Sequence, residues 1–250
     1  MRVALLLLIA AGAGCAPSPP PSPLPDGAQV VVLAGQSNMA GMFAPEPADT
    51  AAAPRVWMFD DDAGWVPARE PVHRTGGVGP GLAFGRALAA ETAPVGLIPC
   101  AVGGSSLAQW TGGRWRRRPP FRVRPYADAC AARVRRATGG AAVAALLWHQ
   151  GETEALEGRT DYAATAGALL ADLARRTRAR CVLGGELVAV DTPGAAAVRA
   201  AQRALFGPGL VSAADLPLAA DGIHLSPASA RALGRRYAAA VRAGACAPIP

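Results

Sequence analysis

Val30-Val31-Val32-Leu33-Ala34 runs directly into Gly35-Gln36-Ser37-Asn38-Met39 near the start of the chain. Five consecutive apolar residues, three of them β-branched, read as a strand covered on both faces. Strands of that kind belong to parallel sheets lying between helix layers. Gly35 and the polar residues after it end the run, so Ser37 stands at the carboxyl end of the strand. In open α/β sheets that edge is where ligands bind.

The same alternation continues outward. Arg55 to Phe59, Val95 to Val102, Ala142 to Trp148 and Cys181 to Val188 are further strand candidates, and Leu210 to Ala213 offers a shorter sixth. Between them lie helical patterns. Pro80 opens one through Ala90, and Tyr126 to Thr138 forms another. Thr160 is placed to cap a helix with Tyr162, Ala166, Leu169, Leu170 and Leu173 on one face and Arg175, Arg176 and Arg178 at its end. Ser226-Pro227 starts the last helix and Gly244 closes it. Strands alternating with helices predict an α/β domain over residues 28–247 with a five-stranded parallel sheet.

The remaining segments bound the function. The chain has 250 residues, 51% of them hydrophobic, enough for a sizeable core. The net charge is +7 and every basic residue is Arg, a compositional bias with little functional weight. Arg114, Arg116, Arg117, Arg118, Arg122 and Arg124 form the one basic cluster, either a solvated loop or an electrostatic rim for an acidic substrate. A nucleic-acid binder would need that charge gathered into a stripe with aromatics between.

Residues 1–14 read as an export signal: Arg2, the apolar run Val3 to Ala11, then small residues. Ala13-Gly14-Cys15 resembles a lipoprotein cleavage site with Cys15 as the lipidated residue, while cleavage after Ala11-Gly12-Ala13 is the competing reading. Residues 15–27 form a Pro-rich linker. The expectation is a membrane-anchored lipoprotein facing the periplasm or cell surface, or a secreted protein. With Cys15 lipidated, Cys100, Cys130, Cys181 and Cys246 permit two disulfides in three connectivities. No Cys or His spacing fits a metal site.

Three His are present: His73, His149 and His224. A serine nucleophile needs a base, and His224 lies in Asp221-Gly222-Ile223-His224. An acid three residues before a His, across a Gly turn, can reach the imidazole Nδ1–H and leave Nε2 for the serine proton. A surface Asp-Gly turn beside an unrelated His is the alternative. Gly103-Gly104-Ser105-Ser106 follows the third strand and can present a backbone N–H to a ligand, or be a simple turn. Trp148-His149-Gln150-Gly151-Glu152 follows the fourth. Gln150 is a candidate oxyanion donor and Glu152 a candidate orienting group, against a buried structural cluster. Together these are the groups that acyl transfer requires.

These blocks, with Trp110, resemble the sialate O-acetylesterase-like branch of the SGNH/GDSL hydrolases, which includes carbohydrate esterase family 6, the acetylxylan esterases. The resemblance runs over about residues 30 to 240. It implies a three-layer α/β/α flavodoxin-like fold and a carbohydrate O-acetylesterase without metal or organic cofactor. It makes Ser37 the nucleophile, His224 the base and Asp221 the acid, with Glu152 a rival acid. It puts the oxyanion in a hole formed by the backbone N–H groups of Ser37 and Gly104 and the side chain of Gln150. Gln36, Asn38 and Trp110 are its candidate substrate contacts, and an acetylated carbohydrate is the expected partner. Where the family usually carries Asp after the Gln-Gly-Glu block, Glu154 stands here. Arylesterase or thioesterase specificity, and a non-catalytic glycan-binding lipoprotein, are the competing functions.

Overall fold

The computed structural model describes residues 23–112 and 125–247. The expected signal segment, Cys15, most of the Pro-rich linker and the Arg114–Arg124 cluster lie outside the described residues.

The decisive stretch forms β1 (Gln29–Gly35), and Ser37 opens a single turn of helix, α1 (Ser37–Ala40). The order continues β2 (Val56–Asp60), β3 (Gly64–Pro67), α2 (Pro80–Ala89), β4 (Val95–Pro99), α3 (Leu107–Thr111), α4 (Tyr126–Thr138) and β5 (Ala145–His149). Then come α5 (Glu152–Leu156), α6 (Tyr162–Thr177), β6 (Val182–Gly185), α7 (Ala195–Phe206), β7 (Leu210–Val211) and α8 (Pro227–Arg242).

Among the described residues the sheet has seven strands in the order β3-β2-β4-β1-β5-β6-β7, correcting the expected five. Its centre is nonetheless the expected architecture. Counting only β1, β4, β5, β6 and β7, the spatial order is 2-1-3-4-5, the flavodoxin-like winding, and all are parallel. The short Leu210 segment completes that set. The Arg55 segment instead joins β3 in an antiparallel hairpin that extends the β4 edge. Helices α2 and α8 pack on each other, while α3, α4, α6 and α7 form a separate chain of contacts, giving helix layers on the sheet.

Local signals explain most element ends. Ser226 caps α8, its side chain accepting from the Ser229 N–H at 3.2 Å, with Pro227 in the first turn. Gly139 takes a left-handed φ of 62° just after α4. The cap of α6 differs from expectation: it is Asp161, whose side chain bonds no helix N–H and pairs with Arg159 instead. Two disulfides form, Cys100–Cys130 and Cys181–Cys246, which selects one of the three connectivities. The core is continuous through the sheet and includes Val31, Val32 and Leu33, all fully buried.

Candidate active site

The order 2-1-3 places β1 between β4 and β5, so the segments leaving these three strands converge at one edge. Gly35 makes the approach possible. It sits opposite His149 with φ 128°, and a Cβ there would lie 2.0 Å from the His149 carbonyl oxygen. Gln36 then caps α1, and Ser37 follows with 6% of its surface exposed.

The loop before α8 comes to meet it. Ala219 N–H donates to the His224 carbonyl at 2.7 Å, and Gly222 turns the chain with φ 69°. Asp221 Oδ1 accepts the backbone N–H groups of Ile223 and His224, both at 2.9 Å, and Oδ2 lies 2.8 Å from His224 Nδ1. Those two N–H bonds come first among the causes that draw the Asp221 carboxyl down to about 2; the imidazole contact adds to them. An acceptor on Nδ1 fixes the proton there, leaving the Nε2 lone pair outward. Nε2 lies 3.0 Å from Ser37 Oγ, across 187 residues of sequence. Ser37, His224 and Asp221 are thus brought together as expected, and Glu152 does not touch His224.

Two backbone donors stand open. Neither the Ser37 N–H nor the Gly104 N–H has an acceptor among the described residues. Gly104 is exposed, has φ 66°, and its missing Cβ would face empty space. The turn that carries it starts beside β1, because Val102 N–H donates to the Gly35 carbonyl at 3.0 Å.

Gln150 departs from the expectation. Its amide nitrogen donates to the Ser105 carbonyl at 3.3 Å and to a Glu154 carboxylate oxygen, so both N–H bonds are committed. Burial pushes the Glu154 carboxyl up, against the opposing hydrogen bonds of Leu107 N–H (2.6 Å) and Gln150.

The candidate substrate contacts are corrected too. Trp110 is fully buried, donates from Nε1 to Ser105 Oγ at 2.9 Å, and stacks edge-on with Trp148 and Tyr126. Gln36 Oε1 accepts from Gly151 N–H at 3.3 Å. Asn38 spends its amide on Glu152, Ile223 and Leu225. All three side chains brace the site from behind. His73 is buried and accepts the Ala101 N–H at 3.2 Å, and burial draws its imidazole down to about 4, so it is neutral.

Sequence reasoning noted Glu154 without its contacts, and missed Asn38 as a hub and Gln202 altogether. Gln202 is buried in α7, donates to the Gln150 carbonyl at 3.0 Å and accepts Leu187 N–H at 2.7 Å. A lone Gln on the apolar side of an Ala-rich helix was its only signal.

A groove of about 490 Å³ runs along the carboxyl ends of β2 and β4, lined in part by Phe59, Arg69, Arg133 and Val102. It adjoins the Gly103-Gly104 turn through Val102. A second hollow of about 320 Å³, between Glu70, Asp49, Arg86 and Arg231, contains none of the groups described above.

Comparison with known proteins gives the family and the fold. Residues 27–243 match the family described as carbohydrate esterase, sialic acid-specific acetylesterase. An Arabidopsis thaliana protein named "probable carbohydrate esterase" is 30% identical over 153 residues, 52% of this chain and 55% of that one. The alignment thus spans about half the relative's length. A solved Arabidopsis thaliana structure superposes with TM-score 0.70 at 27% identity, covering 87% of this chain and 99% of that one. A carbohydrate acetylesterase from Xanthomonas citri shares the fold, with TM-score 0.64, 21% identity, and 87% and 56% coverage.

Proposed function

The chain belongs to the carbohydrate esterase, sialic acid-specific acetylesterase family, and from that premise we propose that it is a serine esterase removing O-acetyl groups from carbohydrate. The observation that carries the reading is the unbroken line Ser37 Oγ–His224 Nε2, 3.0 Å, and His224 Nδ1–Asp221 Oδ2, 2.8 Å. A hydroxyl, an imidazole and an acid in that order are an activated nucleophile.

In the first half-reaction His224 Nε2 takes the Ser37 proton as Oγ attacks the acetyl carbonyl. The negative oxygen settles on the open N–H groups of Ser37 and Gly104, each contributing roughly 3 kcal/mol to the transition state. The sugar hydroxyl leaves with the proton from His224. Water repeats the sequence on the acetyl-enzyme, releasing acetate and restoring Ser37. Asp221 stays ionised throughout and offsets the charge of the imidazolium. The groove beside the Gly104 turn seats the sugar, with Phe59 offering a ring face and the arginines offering donors.

Export is part of the reading. Two disulfides suit an oxidising compartment, as does the lipoprotein-like segment ending at Cys15. Fatty-acid labelling that survives Cys15→Ser would remove the anchor.

The test is acetate release from acetylated xylan and from O-acetyl sialic acid, with p-nitrophenyl acetate as a reference. Release that is blocked by a serine-reactive phosphonate attached at Ser37 is the expected result. Well-folded protein inert on every ester would leave a glycan-binding module instead.

A further inference from the structure

Asn38 follows the nucleophile directly, and its side chain is 3% exposed. Its Nδ2 donates to Glu152 Oε1 at 2.6 Å and to the Ile223 carbonyl at 3.2 Å, while its Oδ1 accepts Leu225 N–H at 2.8 Å. Ile223 and Leu225 are the residues on either side of His224. One amide next to Ser37 therefore holds both neighbours of the base.

An amide has two orientations of almost the same shape, and only one works here. Turned over, its oxygen would face the Ile223 carbonyl and its N–H groups would face the Leu225 N–H. The third contact reinforces that choice and ties the amide down at its donor end, because a carboxylate can only accept. Glu152 is 1% exposed and starts α5, directly after β5 and 114 residues from Asn38. Burial pushes its carboxyl up, but the contacts with His149 and Asn38 more than offset this and hold it below its ordinary value. It is thus an ionised acceptor.

We infer that Glu152 is a positioning residue which, through the Asn38 amide, fixes the His224 loop at hydrogen-bonding distance from Ser37. The inference rests on the assignment of Ser37 and His224 given above. Glu152 touches neither reacting group; it anchors the donor end of the amide that does the holding.

The experiment is a donor–acceptor swap with kcat and KM measured separately on p-nitrophenyl acetate. Asn38→Asp places a second carboxylate against Glu152 and removes both donated bonds. It should lower kcat about 100-fold and leave KM within about threefold, since no substrate contact changes. Adding Glu152→Gln supplies a donor facing the carboxylate introduced by the first substitution and should recover about tenfold of that loss. Asn38→Asp with wild-type turnover, or a double variant that recovers nothing, overturns the inference. If Asn38→Asp fails to fold by circular dichroism, the single variants decide. Glu152→Gln keeps an acceptor and should stay within about fivefold of wild type, whereas Glu152→Leu should lose at least about 30-fold. Equal turnover in those two overturns it as well. Ser37→Ala, run alongside, separates the two ideas. Turnover surviving in that variant removes the nucleophile assignment itself, while an inert Ser37→Ala beside an active Asn38→Asp removes only the role of Glu152.

Discussion

Two acid–histidine pairs with the same three-residue spacing meet at Asn38, and they have opposite surroundings. Asp221 and His224 have side chains 39% and 17% exposed and lie 2.8 Å apart. His149 and Glu152 are 1% and 2% exposed, and their closest approach is 3.5 Å. In the open pair the imidazole is gripped at Nδ1 and presents Nε2 to a hydroxyl. In the sealed pair neither ring nitrogen has a hydrogen-bond partner among the described residues, and the acid's short contact is to an amide. Spacing alone therefore does not assign a role. The reacting pair is the one whose second ring nitrogen faces a nucleophile.

The comparison is broken most directly at the nucleophile. Ser37→Ala should lower kcat by at least about 10³-fold with an unchanged melting temperature, because the triad works as a unit. Near-normal turnover would leave the open pair without a task. Next, Asp221→Asn should cost about 10²-fold in kcat, since the wrong imidazole tautomer becomes accessible, against about fivefold or less for Glu152→Gln. The reverse ranking would exchange the roles of the two pairs.

Gln150→Ala sharpens the picture on the oxyanion side. With both amide N–H bonds committed to Ser105 and Glu154, it should cost only about tenfold, less than the roughly 10²–10³ typical of a true oxyanion donor. A loss beyond about 10² in steady-state kcat would return Gln150 to the oxyanion hole.

The smallest effect concerns another sealed acid and reads out in stability. Burial raises the Glu70 carboxyl to about 7. The folded state holds that proton more tightly than the unfolded chain, so its contribution is complete below the ordinary value of 4.5 and is lost as pH rises from there through about 7. Glu70→Gln should match wild type near pH ~4 and exceed it by roughly 1–3 kcal/mol near pH ~8 in urea unfolding. Asp221 has the opposite sign. Its contribution is present above the ordinary carboxylate range and fades only as pH falls toward about 2. Asp221→Asn should flatten the acid limb of the stability curve.

What was legible in the sequence was local. A β-branched run, a Ser-Pro cap and an Asp-Gly turn before a His each carry their meaning within a few residues, and β1, α8 and the Asp221–His224 loop formed where those signals placed them. The hairpin strand β3 was missed because Gly64-Trp65-Val66-Pro67 is short and belongs to the sheet edge, where pairing with β2 decides the matter. Helix α7 was missed because its opening Ala-Ala-Ala, although a strong helix former, carries no marked apolar period; its apolar side is defined by packing on α6 and β6. Glu152 was legible as a candidate orienting group, but the partners of Asn38, Glu152 and Glu154 were beyond reach for a different reason. A buried polar group is defined by its partner, and here the partners stand 47 to 187 residues away.

The disposition of nucleophile and base along the chain has a temporal meaning. Ser37 emerges early in synthesis, and the loop that carries His224 emerges only after all seven strands of the sheet have been made. On the proposed mechanism, a polypeptide ending anywhere before that loop has the nucleophile without its base. The segment that follows the loop, α8 and Cys246, is made last of all, and it packs on α2 and bonds Cys181 to hold the loop's far end in place.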